Sequence, residues 1–87
     1  MNANPKITLR QGHRILDENP EIEWYSGGEL YTHPTRIKIN GVWEDVFHYE
    51  RSIREDNQQQ RQLVFRCHIG DNRIIEAVIN LGSQGNV

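Results

Sequence analysis

The chain has 87 residues, of which 36% are hydrophobic and 25% charged; that length predicts one domain, 1–87, with no room in it for a second. A mean hydropathy of −0.77 is polar for a folded protein, yet the apolar residues gather in short patterned runs, which excludes a disordered chain. Ten basic against twelve acidic residues give a formal charge of −2, without the basic excess of a protein held to nucleic acid chiefly through phosphates.

In chain order, Met1 to Arg10 lacks a basic segment followed by an apolar run, so no secretory leader is expected and a cytoplasmic location follows. No apolar stretch approaches the ~20 residues that span a bilayer, so no membrane association is expected. Lys6 to Asp17 reads as a hairpin about Gln11-Gly12, with Ile7 opposite Leu16. Asn19-Pro20-Glu21 has the form of a helix start, with a capping Asn, a first-turn Pro and acids near the positive end of the dipole. Gly27-Gly28 would end that helix within two turns. Ile22 to Tyr25 reads equally well as a strand. His33-Pro34 then resets the chain into extended structure.

The remainder is rich in β-branched and aromatic residues and free of proline. It predicts strands over Thr35 to Asn40, Val42 to about Ile53, Arg61 to Ile69 and Arg73 to Leu81. Asn40-Gly41 is a two-residue turn signal, since a type I′ turn needs positive φ at both positions. It sets Ile39 opposite Val42, Lys38 opposite Trp43, Ile37 opposite Glu44 and Arg36 opposite Asp45, the last an expected ion pair. Glu55 to Gln60 is a polar loop and Gly70-Asp71-Asn72 a second turn cluster. With Asp71-Asn72 as the loop, Ile69 faces Ile74, Phe65 faces Val78 and Val64 faces Ile79. Both sheet faces are then apolar, with Leu63, Phe65, Cys67 and Ile69 on one and Val64, Ile75, Ala77 and Ile79 on the other. An antiparallel sheet with one wet face should alternate cleanly, so both faces call for cover. Barrel closure, the N-terminal segment or a second copy in a homodimer would supply it. The expected fold is all-β or β-dominated. It is a four-strand antiparallel meander over 35–81, curled into a small, partly open barrel or roll, with the N-terminal third adding a hairpin, a short helix or both.

Motifs for chemistry are sparse. His13, His33, His48 and His68 include no pair at zinc-ligand spacing, so no metal site is expected. Ser26-Gly27-Gly28 lacks the residues of a nucleophile elbow, and no glycine-rich phosphate loop is present, so no cofactor is expected. Cys67 is the single cysteine; no intramolecular disulfide can form, and a buried structural thiol is the expected state. Glu44 and Glu76 each fall on an otherwise apolar strand face, where an acid is either paired or catalytic.

One surface suggests binding. Arg36, Lys38, Trp43, Phe47, Tyr49 and Arg51 share a face of the first hairpin, and aromatic side chains interleaved with basic ones on a sheet can stack bases or hold peptides. The rival reading makes Trp43 and Phe47 core, with charged stems at its rim. A non-enzymatic binding or assembly module is therefore expected, its partner another protein or a second copy. A single-stranded nucleic-acid binder using that face is the alternative. A small enzyme with Glu44, Glu76, His48 or Cys67 in a pocket comes third.

Overall fold

The computed structural model describes residues 6–25 and 33–83, which form eight strands and no helix. β1 (Ile7–Gln11) and β2 (Arg14–Asp17) make a hairpin, and β3 (Ile22–Trp24), β4 (Pro34–Ile39) and β5 (Val42–Asp45) make a three-stranded antiparallel sheet in that order. β6 (His48–Glu55), β7 (Gln60–Ile69) and β8 (Arg73–Ser83) complete a five-stranded antiparallel sheet in the order β2-β1-β8-β7-β6. The architecture is β-dominated, as the sequence predicts. The small sheet folds over one face of the large one as a partly open roll, without barrel closure.

The core lies between the sheets. Leu9, Leu63, Phe65, Cys67, Ile69, Ile75, Ala77 and Ile79 of the large sheet pack with Ile37 of the small one, and Ile22, Trp24, Ile39 and Tyr49 lie against this cluster. Trp24 meets Phe65 edge to face, at 5.5 Å between ring centroids. Along β7, Leu63, Phe65, Cys67 and Ile69 alternate inward, while Val64 on the opposite face is buried as well.

The second hairpin differs by one residue from the expected register. Ile69 pairs with Arg73, Phe65 with Ala77 and Val64 with Val78, because all three of Gly70, Asp71 and Asn72 form the loop, with φ of 61° at Asp71 and 57° at Asn72. A one-residue slip moves a strand's side chains to the other face. The correction therefore puts Ile75, Ala77 and Ile79 on the same face as Leu63, Phe65 and Cys67. The apparent second apolar face shrinks to Val64, Ile74 and Val78, and both valines are already buried, so this face offers less for a second copy to cover. Arg54 reaches diagonally to Glu76 (2.8 Å and 3.5 Å) across the row that holds Val64.

The expected strand from Val42 to Ile53 is two strands. The Val46 N–H donates to the Thr35 carbonyl (2.9 Å) and the next N–H, of Phe47, to the His68 carbonyl (2.8 Å). Neighbouring residues thus join different sheets. The first hairpin has the predicted register in all four pairs, with φ of 51° at Asn40 and 82° at Gly41.

The N-terminal hairpin turns at Gly12-His13, one residue beyond Gln11-Gly12, and Ile7 pairs with Ile79 of β8 rather than with Leu16. Gly12, at φ 61°, takes the left-handed position. No helix starts at Asn19. Its N–H donates to Asp17 Oδ1 (2.9 Å) in a local turn, and Ile22 to Trp24 follow as a strand whose alternate residues join the core. Ser26 and Gly27-Gly28 lie outside the described residues. No helix among the described residues is long and apolar enough to cross a membrane.

Candidate functional site

The six residues of the expected binding face are divided by the switch at Val46 and Phe47. Arg36, Lys38 and Trp43 stay together on the outer face of the small sheet. The Arg36 guanidinium lies 5.0 Å from the Trp43 ring centroid and the Lys38 ammonium 5.8 Å. Trp43 is half-buried beneath them and outside the core cluster. Phe47 is 72% exposed in the crossover. Arg51 is exposed on β6. Tyr49 turns inward: its ring stacks on His33 (4.7 Å, 5° between planes) and tilts toward Phe65 (6.1 Å). Tyr25 stacks on the other side of His33 at 5.0 Å, so this aromatic column is already filled by the protein's own rings.

Arg36 and Lys38, the basic side chains beside Trp43, are paired. Arg36 makes a two-pronged contact with Glu23 of β3 (2.8 Å and 2.6 Å) rather than the expected ion pair with Asp45, because β4 is central and offers it a neighbour on each side. That contact holds the Glu23 carboxyl below the usual glutamate range, the hydrogen bond from Arg36 acting first and its charge adding to it. Lys38 lies 3.6 Å from Glu21. Around Trp43, Glu21, Glu23 and Asp45 thus outnumber Arg36 and Lys38, which leaves no positive excess for phosphates.

The residues named for catalysis do not converge. Glu44 is bound to Arg73 at 3.0 Å, linking β5 to β8, and Glu76 is held by Arg54. The Cys67 thiol is buried, with Sγ 3.6 Å from the Phe65 carbonyl, and burial pushes it up to about 12. A thiol so rarely ionised is a poor nucleophile. A cleft of about 360 Å³ opens elsewhere, between β2 and the β4–β5 turn, lined by Leu9, Leu16, Asp17, Glu21, Lys38 and Ile39 among others. Its lysine and Glu21 pair with each other, and Asp17 accepts the Asn19 N–H.

Two features of β6 remain. The first is its outer edge, which no described strand pairs. The other sheet edges, β2, β3 and β5, are three or four residues long, and two of them carry register shifts. Short and bulged edges resist pairing with other chains. β6 instead runs eight residues in unbroken register with β7, without proline, glycine or lysine. The Asp56 N–H donates to the Gln60 carbonyl (3.0 Å), which sets the alternation along the ladder. Even-numbered N–H groups point to β7; those of Tyr49, Arg51, Ile53 and Glu55 point outward.

The second feature is a cluster on the outer face of the large sheet. His48 pairs with His68 across the strands, their ring centroids 5.0 Å apart, and Glu50 follows two residues on with Oε2 3.9 Å from His48 Nε2.

No protein-family model, curated protein or solved structure matches the chain. The functional reading therefore rests on the geometry of β6 and its surroundings. Neither feature of β6 was legible as a motif. His48 and His68 are distant in sequence, and only the register of the β6–β7 hairpin brings them together. The turn supplies the signal that would have found them: Asp56 Oδ1 accepts N–H bonds from Gln58 and Gln60 (2.9 Å each). An Asp opening a short polar loop is a recognisable turn former, and counting back from it pairs the two histidines.

Proposed function

We propose that this chain is a small non-enzymatic assembly module that pairs with a second copy of itself, edge to edge, through β6. The observation that carries the reading is the charge pattern along that edge. Antiparallel pairing must match outward-pointing N–H groups with one another, so odd residues face odd and even face even. Centred on Ser52, the pairing sets Glu50 against Arg54 of the second copy and His48 against Asp56, each twice by symmetry, with no like charges opposed. Centring on Arg51 would oppose two arginines; centring on Ile53 would oppose Glu50 and Asp56. Like charges directly opposite are destabilising. The favoured register would form about eight backbone hydrogen bonds between copies. It would extend the ion pairs Arg66–Glu50 and Arg54–Glu76 into one alternating row, and would carry Phe47 to the other copy's β6–β7 turn. The arrangement is isologous, so it closes at two chains and leaves β6 no longer an edge.

The register is testable through Ser52. In the favoured pairing Ser52 faces its own counterpart on the two-fold axis, at a Cα separation of roughly 4.5 Å, within disulfide range. Light scattering of the wild type should report a dimer, and Ser52→Cys should cross-link it under mild oxidation while Ile53→Cys does not. Ile53→Pro removes an outward N–H without touching the β7 ladder, and should yield a folded monomer. A wild type that stays monomeric at every workable concentration would remove the proposal.

The single-stranded nucleic-acid reading keeps one observation in its favour, the outward Trp43 beneath Arg36 and Lys38. The acids around it weigh on the other side.

A further inference from the structure

We infer that His48, Glu50 and His68 form a site for a divalent transition-metal ion of the zinc type. All three ligand residues belong to one chain, so the site does not need the second copy, although His48 and Glu50 also take part in the pairing proposed above. One ligand atom from each residue lies within 4.8 Å of the others. Tetrahedral zinc holds ligands at about 2.0–2.2 Å from the metal, so closure needs only small side-chain rotations on two strands whose backbones are already locked in register.

Three details favour a metal over a chance meeting of polar side chains. His68 Nε2 is shielded from solvent and has no hydrogen-bond partner among the described residues, a state that leaves a buried polar atom unsatisfied and that ligation through this nitrogen would relieve. The Glu50 carboxylate is divided in its contacts: Oε1 faces Arg66 Nη1 at 3.5 Å, while Oε2 faces His48. Arg66 thus orients the carboxylate and leaves one oxygen for the ion, in the manner of the outer contacts that position metal ligands. Finally, His48 and Glu50 are exposed, so an ion has an entry path and room for water in a fourth position.

The donor set selects the metal. Two imidazoles and one carboxylate oxygen suit zinc and its neighbours in the transition series. Magnesium and calcium take oxygen ligands in greater number, and one oxygen does not serve them. The neighbouring Arg66 charge lowers affinity for any cation, so a labile site is expected rather than a permanent structural one.

The test uses the full chain without a histidine tag, titrated with Zn²⁺ and followed by histidine side-chain NMR. One equivalent should shift the ring resonances of His48 and His68 and leave those of His13, on the distant β1–β2 turn, in place. His48→Ala and Glu50→Gln, both exposed changes that should preserve melting, should each weaken binding by about tenfold or more. His13→Ala should bind as the wild type does. A millimolar excess of Mg²⁺ should not displace the zinc. The inference is overturned if Zn²⁺ at 1 mM leaves both rings unshifted, if His48→Ala binds unchanged, if His13→Ala loses binding equally, or if Mg²⁺ competes.

Discussion

Trp24 and Trp43 show how much a single residue's surroundings decide. Both are tryptophans in short strands of the same small sheet. Trp24 meets Phe65 at the centre of the core, while Trp43 lies outside it under two cationic side chains. The sequence offered Trp43 and Phe47 as either binding face or core, and neither belongs to the core cluster. Phe65, fully buried, is the residue on which both sheets converge. Phe65→Ala should therefore cost about 3–5 kcal/mol, the range for a large aromatic truncated in a packed core. Trp43→Ala should cost less, about 1–3 kcal/mol, because its partly buried ring packs beneath the Arg36 and Lys38 side chains rather than in the core. Urea unfolding of the two variants separates them; a Trp43→Ala protein as unstable as Phe65→Ala would place Trp43 in the core after all.

At the scale of elements, turns govern. The Asn40-Gly41 turn was legible because its two positive φ values demand residue types that tolerate them, and the register of β4 and β5 followed from it. Gly41, at φ 82°, has open space around its α-carbon, so a side chain there meets strain rather than a clash. Gly41→Val should destabilise by more than about 1 kcal/mol, since a β-branched residue resists positive φ. An unchanged melting midpoint would contradict the turn. The Gly70-Asp71-Asn72 turn was harder to read, because Asp71-Asn72 resembles a two-residue loop and a third loop residue is invisible in composition. That single residue made the outer face look more apolar than it is, since Ile75, Ala77 and Ile79 in fact point to the core. β3 was undecidable for a different reason: Asn19-Pro20-Glu21 has good helix-start chemistry, but local propensity yields to the edge of β4, where Ile22 pairs with Ile37.

The whole molecule is a thin two-layer body, and its lone thiol reports on that body's integrity. Cys67 sits between the sheets with its ionisation pushed up to about 12 by burial, so both access and reactivity require the layers to part. Alkylation of native protein at pH 8 should be slow and should quicken with urea in step with global unfolding. Rapid native labelling would show that the layers open locally. The amino-acid sequence by itself determined the fold class, the antiparallel pairing and the first hairpin's register, because these depend on alternation and on φ tolerance within a few neighbouring residues. It also located a basic, aromatic segment, though not its meaning. Only the tertiary structure decided that the chain changes sheets between Val46 and Phe47. The Val46 N–H still belongs to the local β4–β5 hairpin, whereas the Phe47 N–H goes to the His68 carbonyl of β7, a choice made by the packing of two layers. That one crossover turns Tyr49 into the core and separates it from Trp43. It also leaves β6 as a long edge that no described strand pairs, with His48 beside His68.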